Sequence, residues 1–398
     1  MKRAKKAAAV AATGLLALGA SVAPEQTRAS SPAVPGVTGN SISVGSTIPL
    51  SGPAGAYGTI ARGTKAYFDY INGQGGVNGR KIKYTILDDG YDPARGLNNV
   101  KNLVLNKGVF ALVDDLGTAN NEAAIPFITQ QRVPLVYPAT GSSKMAQPLK
   151  KYLFAMQVSY TIEGKVLTDY ATKTLHAKKI GVFYQNDDFG QEGLSAVTAR
   201  AKQDGAAVVD SESYEPADAD LSAQALKLKQ AGVDAVIMFA IPTPAITFMS
   251  TAPKVGLTVK LLSSDTALDP AIVRAAGPAA EGVYFDAYAD LPSANSAGAR
   301  LYRSVVGKYG DPTTTPLNST FTATGVLSGE VFVEGLRRAG KNLTRQSFVK
   351  ALETFRNYRP AGSNITYTPS NHAGIEGSYM VQIKGGAIVP VSGYSYPK

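Results

Sequence analysis

No cysteine occurs among the 398 residues. That absence removes disulfides, thiolate metal sites, nucleophilic thiols and the cysteine on which a lipid anchor is built. Histidine is nearly as scarce, with only His176 and His372. A zinc-protease H-E-x-x-H helix is therefore missing. So is the H-R-D loop that the DFG triplet at Asp188–Gly190 would need in a protein kinase. No G-x-S-x-G turn is present either. These absences point away from an enzyme, and neither cofactor nor metal is expected. Long hydrophobic runs are lacking too, so no segment reads as a spanning helix. Blocks of like charge are also absent. Four basic residues and no acid fall within residues 1–23, so the formal charge of +10 drops to +6 without them. The rest is interspersed, which argues against a nucleic-acid partner.

What is present begins with a leader. Lys2, Arg3, Lys5 and Lys6 precede a short apolar stretch, Ala7 to Ala20, and then small residues. This order reads as a secretory signal peptide within residues 1–29, cleaved after Ala23 or Ala29. Residues 30–40, rich in Pro, Ser and Gly, read as a linker. A chain exported without a lipid anchor is held near the cell most simply by an outer membrane, so a periplasmic location is expected.

From Ile42 a rhythm starts. ISVGSTIPL (Ile42–Leu50) reads as a buried strand, followed by a helix through Ile60, Ala66, Tyr67, Tyr70 and Ile71. KIKYTILDD (Lys81–Asp89), FALVDD (Phe110–Asp115) and PLVYP (Pro134–Pro138) read as further strands separated by helices. A second series repeats it. Helices are expected at about Thr161–Leu175, Gln191–Asp204 and Leu221–Ala231. The strands between and after them are KIGVFYQ, AAVVDSESY, DAVIMFA, KLLSSD and GVYFDAY. Short apolar runs alternating with helices mean βαβ units and parallel sheets. There are too many strands for one ordinary sheet, so the reading is α/β with two doubly wound lobes. Ligands in such sheets sit beyond the carboxyl ends of the strands.

The strand-end loops are accordingly the candidate site. PLSGPAGAYG (Pro49–Gly58) is neither G-x-G-x-x-G nor a Walker loop, yet it brings backbone N–H groups and Tyr57 to the sheet mouth. LGTANN places Thr118 before a helix, and ATGSS (Ala139–Ser143) follows the next strand. Hydroxyls and free N–H groups at helix starts bind carboxylates. In the second half, Phe189 sits where a loop turns into a helix, IPTPA (Ile241–Ala245) is apolar, and Asp265 is a lone acid at a strand end. One half thus offers donors for a carboxylate, and the other apolar walls and one acid.

ISVGSTIPLSGPAGAYG, GGVNGRKIKYTILDDGYDP, VPLVYPATG, YQNDDFGQEG and AEGVYF, in this order, resemble the leucine/isoleucine/valine-binding branch of periplasmic solute-binding proteins. The resemblance runs from about Ile42 to the C-terminus. It implies two Rossmann-like lobes joined by three crossover strands, with residues 41–160 and 288–368 in the first and 161–287 and 369–398 in the second. It also implies a monomer that closes like a hinge on a small molecule and meets an ABC-importer permease. By position, Tyr57 takes the place of the first-loop aromatic. Thr118 matches the residue holding the ligand carboxylate, and Ala139 with Thr140, Gly141 and Ser142 the second carboxylate loop. Phe189 and Ile241 stand at the covering positions, and Asp265 at the acid that pairs with the ammonium. Departures are the missing hydroxyl at Phe189, Ile241 or Pro242 in place of a second aromatic, and Asp114 and Asp115 where relatives often have small residues. The last leaves open whether one of those acids faces the cleft. A small apolar amino acid or related carboxylate is the expected ligand. The alternatives are an aromatic carboxylate, amide or urea, or a sensing role on the same fold. Amino-terminal sequencing of the protein recovered from secretion should find Pro24 or Ser30 first; Met1 retained on the exported protein contradicts the leader.

Overall fold

Strand β1 (Ser41–Ile48) is almost wholly buried, which is why its sequence runs apolar and small rather than alternating. It lies between β2 (Lys81–Asp88) and β3 (Ala111–Val113), with Val44 beside Tyr84 on one side and Ala111 on the other. β4 (Leu135–Val136) and β5 (Leu153–Phe154) complete a parallel sheet of order β2-β1-β3-β4-β5. The computed structural model describes residues 34–397, together with 4–9 and 11 of a separate N-terminal unit. Both cleavage positions and the linker as far as Ala33 lie outside the described residues.

α1 (Gly58–Gly73) connects β1 to β2, α2 (Pro93–Lys101) connects β2 to β3, and α3 (Thr118–Gln131) connects β3 to β4. Right-handed crossovers running in opposite directions from β1 put α1 on one face and α2 with α3 on the other. The second lobe begins with α4 (Tyr160–Asp169). β6 (Lys179–Gln185), α5 (Asp188–Gln203), β7 (Ala207–Tyr214), α6 (Ser222–Gln230) and β8 (Ala235–Phe239) follow. Then come α7 (Pro242–Thr251), β9 (Lys260–Ser263), α8 (Pro270–Ala276) and β10 (Tyr284–Ala287). The parallel part, β7-β6-β8-β9-β10, repeats the strand order of the first sheet. α9 (Ala297–Tyr309), α10 (Thr320–Ala339) and α11 (Arg345–Leu352) return to the first lobe, where α9 and α10 pack on α1. β11 (Tyr379–Lys384) then pairs antiparallel with β10, and β12 (Ala387–Pro390) antiparallel with β11. The chain thus passes between lobes three times, after β5, after β10 and before β11.

Local chemistry moves several boundaries from their expected places. β3 stops at Val113 because Asp114 turns the chain with φ of 64°. The helix expected from Gln191 starts at Asp188. Asp187 caps it, its Oδ1 accepting the Gly190 N–H at 3.2 Å, which brings Phe189 into the first turn. The expected Thr161–Leu175 helix widens into one π turn at Tyr170–Thr174. Among the described residues, no helix is long and apolar enough to cross a membrane.

α1 and α10 cross at near backbone contact. A Cβ on Gly63 would lie 2.2 Å from the Thr322 carbonyl oxygen, and one on Gly325 would lie 1.9 Å from that of Ile60. Thr64 Oγ1 donates to the Gly325 carbonyl at 2.8 Å across the same crossing. Gly325→Val forces the two backbones apart. It is expected to cost at least about 1–3 kcal/mol of unfolding free energy in urea titration; unchanged stability contradicts this packing.

Candidate functional site: the cleft between the lobes

In this strand order the crossover direction reverses beside β1 in the first lobe and beside β6 in the second. The loops leaving these strands meet across one cleft. From the first lobe it is lined by Tyr57, Tyr91, Leu116, Gly117, Thr118, Tyr137 and Ala139. From the second come Phe189, Ile241, Asp265 and Thr266; Gln157, Tyr160 and Tyr288 flank the crossings, and Phe321 and Thr324 come from α10.

Local backbone geometry aims the first-lobe wall. Tyr91 and Tyr137, at the ends of β2 and β4, have φ of 67° and 58°. A bulky side chain rarely adopts that region and does so only where its surroundings enforce it. Gly117 has φ of 102°, and a Cβ there would lie 3.1 Å from the Tyr91 ring. Glycine therefore lets the start of α3 come up to the cleft, with Thr118 first in the helix and 2% exposed. The Thr118 and Thr140 hydroxyls lie 2.7 Å apart, and Thr140 Oγ1 donates to Tyr160 OH at 3.2 Å.

The second-lobe wall rests on a relay. Gln185 Nε2 donates to Tyr91 OH at 3.2 Å, so the relay starts by bridging the lobes. Gln185 Oε1 accepts from Tyr214 OH at 3.1 Å, and that hydroxyl accepts the Ile241 N–H at 3.0 Å. Phe189 is 2% exposed, its ring centroid 4.6 Å from that of Tyr160. The lobes are closed on each other. Tyr57 OH donates to the Thr266 carbonyl at 2.8 Å, Thr243 Oγ1 to that of Pro53 at 2.9 Å, and the Ser143 N–H to the Glu192 carboxylate at 3.1 Å.

Six of the sequence-predicted residues line this cleft: Tyr57, Thr118, Ala139, Phe189, Ile241 and Asp265. Thr140, Gly141 and Ser142 do not; they form a layer behind it. Thr140 supports Thr118, the Gly141 carbonyl accepts the Tyr160 N–H at 2.7 Å, and the Ser142 N–H is held by Thr140 Oγ1 at 3.1 Å. Neither Asp114 nor Asp115 is at the cleft. Asp114 accepts from Ser328 Oγ at 2.6 Å and Tyr84 OH at 3.0 Å, and Asp115 from the Thr47 N–H at 3.0 Å. Tyr91 and Tyr288 were reachable by the same strand-end logic, since Tyr91 follows the expected strand Lys81–Asp89 and Tyr288 is the last residue of the expected strand GVYFDAY. Gln157, Tyr160, Phe321 and Thr324 carry no such signal.

Asp265 is not a lone acid. Glu163 of α4 and Asp286 of β10 each place a carboxylate oxygen within 4.8 Å of it, and both are fully buried. Asp265 Oδ1 accepts from Gln157 Nε2 at 3.1 Å, whereas the carboxylate oxygens of Glu163 and Asp286 have no hydrogen-bond partner among the described residues. Burial, reinforced by mutual repulsion, pushes Glu163 and Asp286 well above the usual carboxylate range. Burial pushes Asp265 up to about 6. Such a trio draws in a cation, whether a proton, an ammonium or a metal ion.

Two doubly wound lobes, closed over a cleft at their switch points, define the type I periplasmic binding fold. The chain belongs to the periplasmic binding protein family, whose sequence profile matches residues 41–387. A Leu/Ile/Val-binding protein homologue of Brucella melitensis is 25% identical over 332 residues, covering 82% of this chain and 87% of that one. A substrate-binding periplasmic protein from Ralstonia solanacearum superposes with TM-score 0.82 at 28% identity, covering 88% of this chain and all of its own. A branched-chain amino acid ABC transporter protein from Thermus thermophilus with bound valine gives TM-score 0.84 at 23% identity, covering 91% and 98%.

The raised carboxyl has a consequence for stability. Between its ordinary value of 3.8 and about 6, the unfolded chain has lost the Asp265 proton while the folded chain keeps it, so stability falls as pH rises through that window. In urea titrations of ligand-free protein, Asp265→Asn should flatten this fall; an unaltered slope removes Asp265 from the account.

Proposed function

We propose that this protein is the substrate-binding component of an ABC importer and takes up a small apolar amino acid or related carboxylate. The observation that carries the reading is the opposed chemistry of the two walls. One presents the N-terminus of α3 with the Thr118 hydroxyl, the other the acid trio headed by Asp265, and Tyr57, Phe189 and Ile241 add apolar surface. A zwitterion with an apolar side chain satisfies all three. Its carboxylate meets the positive end of the helix dipole and the Thr118 hydroxyl. Its ammonium supplies the positive charge that the buried acids lack. The side chain lies against Phe189 and Ile241.

Ligand docks on the first lobe through Thr118 and the Ala139 loop. Closure then brings Phe189 and Asp265 onto it, and the interlobe bonds of Tyr57, Thr243 and Ser143 hold the closed form. A ligand that contacts both walls stabilises that form over the open one by its extra contacts. The permease reads the closed form, and the ligand is released unchanged. The protein acts as a monomer in the periplasm.

The test is calorimetric titration with leucine, isoleucine, valine and phenylalanine, alongside aromatic carboxylates, amides and urea. At least one of the amino acids should bind. Losing a hydrogen bond to a charged group costs about 1.5–3 kcal/mol, so Thr118→Ala and Asp265→Asn should each weaken binding by roughly ten- to a hundredfold. Unchanged affinity in both variants, or binding only of ligands lacking an amine, overturns the zwitterion reading.

A further inference from the structure

Tyr91 follows β2 and lines the cleft from the first lobe. Its backbone is fixed from below. Asp89, fully buried, accepts the Tyr91 N–H on Oδ1 at 2.9 Å and the Thr47 hydroxyl on Oδ2 at 2.9 Å. These bonds hold the residue at its φ of 67°, a conformation that a bulky side chain keeps only under such constraint. The ring lies beside Gly117, so its hydroxyl belongs to the end of the cleft where α3 begins.

The hydrogens around that hydroxyl follow from its partner. Gln185 places Nε2 2.6 Å from Asp187 Oδ2 and Oε1 3.1 Å from Tyr214 OH. An amide oxygen cannot face a carboxylate oxygen at 2.6 Å, so the nitrogen occupies that position. Asp187 takes one Nε2 hydrogen, and Tyr91 OH takes the other at 3.2 Å. The Tyr91 oxygen is then an acceptor, and its own hydrogen is left over. Gln185 is the only hydrogen-bond partner of this hydroxyl among the described residues. Other phenols of the cleft are engaged: Tyr57 OH donates to the Thr266 carbonyl, and the Tyr137 and Tyr288 hydroxyls lie 3.3 Å apart.

We infer that Tyr91 is a ligand-contacting residue: its hydroxyl donates to the carboxylate that docks at the start of α3, and Gln185 of the second lobe aims it on closure. The inference rests on the head-group reading above. It adds to that reading a carboxylate bond that is complete only when the lobes meet. With the lobes apart, Gln185 is out of reach and the hydroxyl turns about its C–O bond. Closure occupies the oxygen from the second-lobe side and leaves the hydrogen pointing into the cleft. The carboxylate thus favours closure from the first-lobe wall, as the ammonium does from the second. Gln185 is a positioning residue and acts on the ligand through Tyr91.

The experiment compares the whole mature protein with Tyr91→Phe, which keeps the ring and removes the donor. Calorimetry is run with leucine, isoleucine, valine and phenylalanine, each labelled with carbon-13 at the carboxyl carbon. Affinity should fall roughly ten- to a hundredfold in the variant, by the same factor for every amino acid that binds. The carboxyl resonance of the bound ligand, read by NMR at saturation, should shift between wild type and variant. Gln185→Met should shift it in the same direction without a contact of its own. Unchanged affinity in Tyr91→Phe overturns the inference. So does weakened affinity with an unmoved resonance, because the hydroxyl then serves only the bond between the lobes. An unmoved resonance in Gln185→Met overturns the aiming role; should that variant not fold, Tyr91→Phe still decides the contact. If no amino acid binds but 4-methylpentanoate does, the zwitterion reading fails, and the same comparison on that carboxylate decides Tyr91. If neither class binds, both readings fall.

Discussion

The crossing of α1 over α10 is the constraint on which the first lobe and its half of the cleft depend. Both helices begin at the cleft, α1 directly after Tyr57 and α10 one residue before Phe321. Their relative position is set where Gly63 and Gly325 let carbonyl oxygens approach closer than any Cβ allows. The same crossing carries Thr64 and Ser328, and Ser328 reaches Asp114 at the end of β3. Helix pair and sheet are thereby joined through hydrogen-bonded groups that are fully buried. Such an arrangement is costly to distort, because a displaced donor or acceptor finds no water to replace its partner. A rigid first lobe suits a protein whose working motion is a hinge. Closure then repositions whole walls and leaves each wall intact.

The second lobe contributes the electrostatic asymmetry. Glu163, Asp265 and Asp286 converge without a basic side chain along the cleft. Alone, these groups resolve their repulsion by holding protons, which is why burial displaces all three upward. A cationic ligand group offers another resolution, and one available only when the lobes meet. On the proposed reading, affinity and closure are two aspects of one free energy, since the charge that satisfies the trio would arrive with the ligand.

Much of this was readable in the amino-acid order. Near-continuous apolar runs such as those in KIGVFYQ and DAVIMFA identify parallel strands because both faces of those strands are covered, and the strand-end rule leads to Tyr57, Thr118, Phe189 and Asp265. What escaped reading depends on distance along the chain. Glu163 lies in the first turn of α4 and Asp286 inside β10, positions that no strand-end rule singles out, and only the folded second lobe brings them to Asp265. Gln157 belongs to a crossing segment, which carries no periodicity of its own, and Tyr160 opens the helix that follows it. Phe321 and Thr324 lie on a helix whose apolar face is shared between core and cleft, so pattern alone does not separate the two. The Thr140–Ser142 stretch shows the converse. Its residue types suit carboxylate binding, yet Thr140 and Gly141 direct their hydrogen bonds to Thr118 and Tyr160.

The second sheet ends with β10, β11 and β12, and the last two strands come from the far end of the chain. Until those residues arrive, β10 has an open edge with unpaired backbone donors and acceptors. A chain synthesised from its amino terminus must therefore be made as far as Pro390 before this lobe is sealed. Order of synthesis and order of completion thus coincide at the C-terminus. That leaves one strand edge in need of protection until the last strands are made.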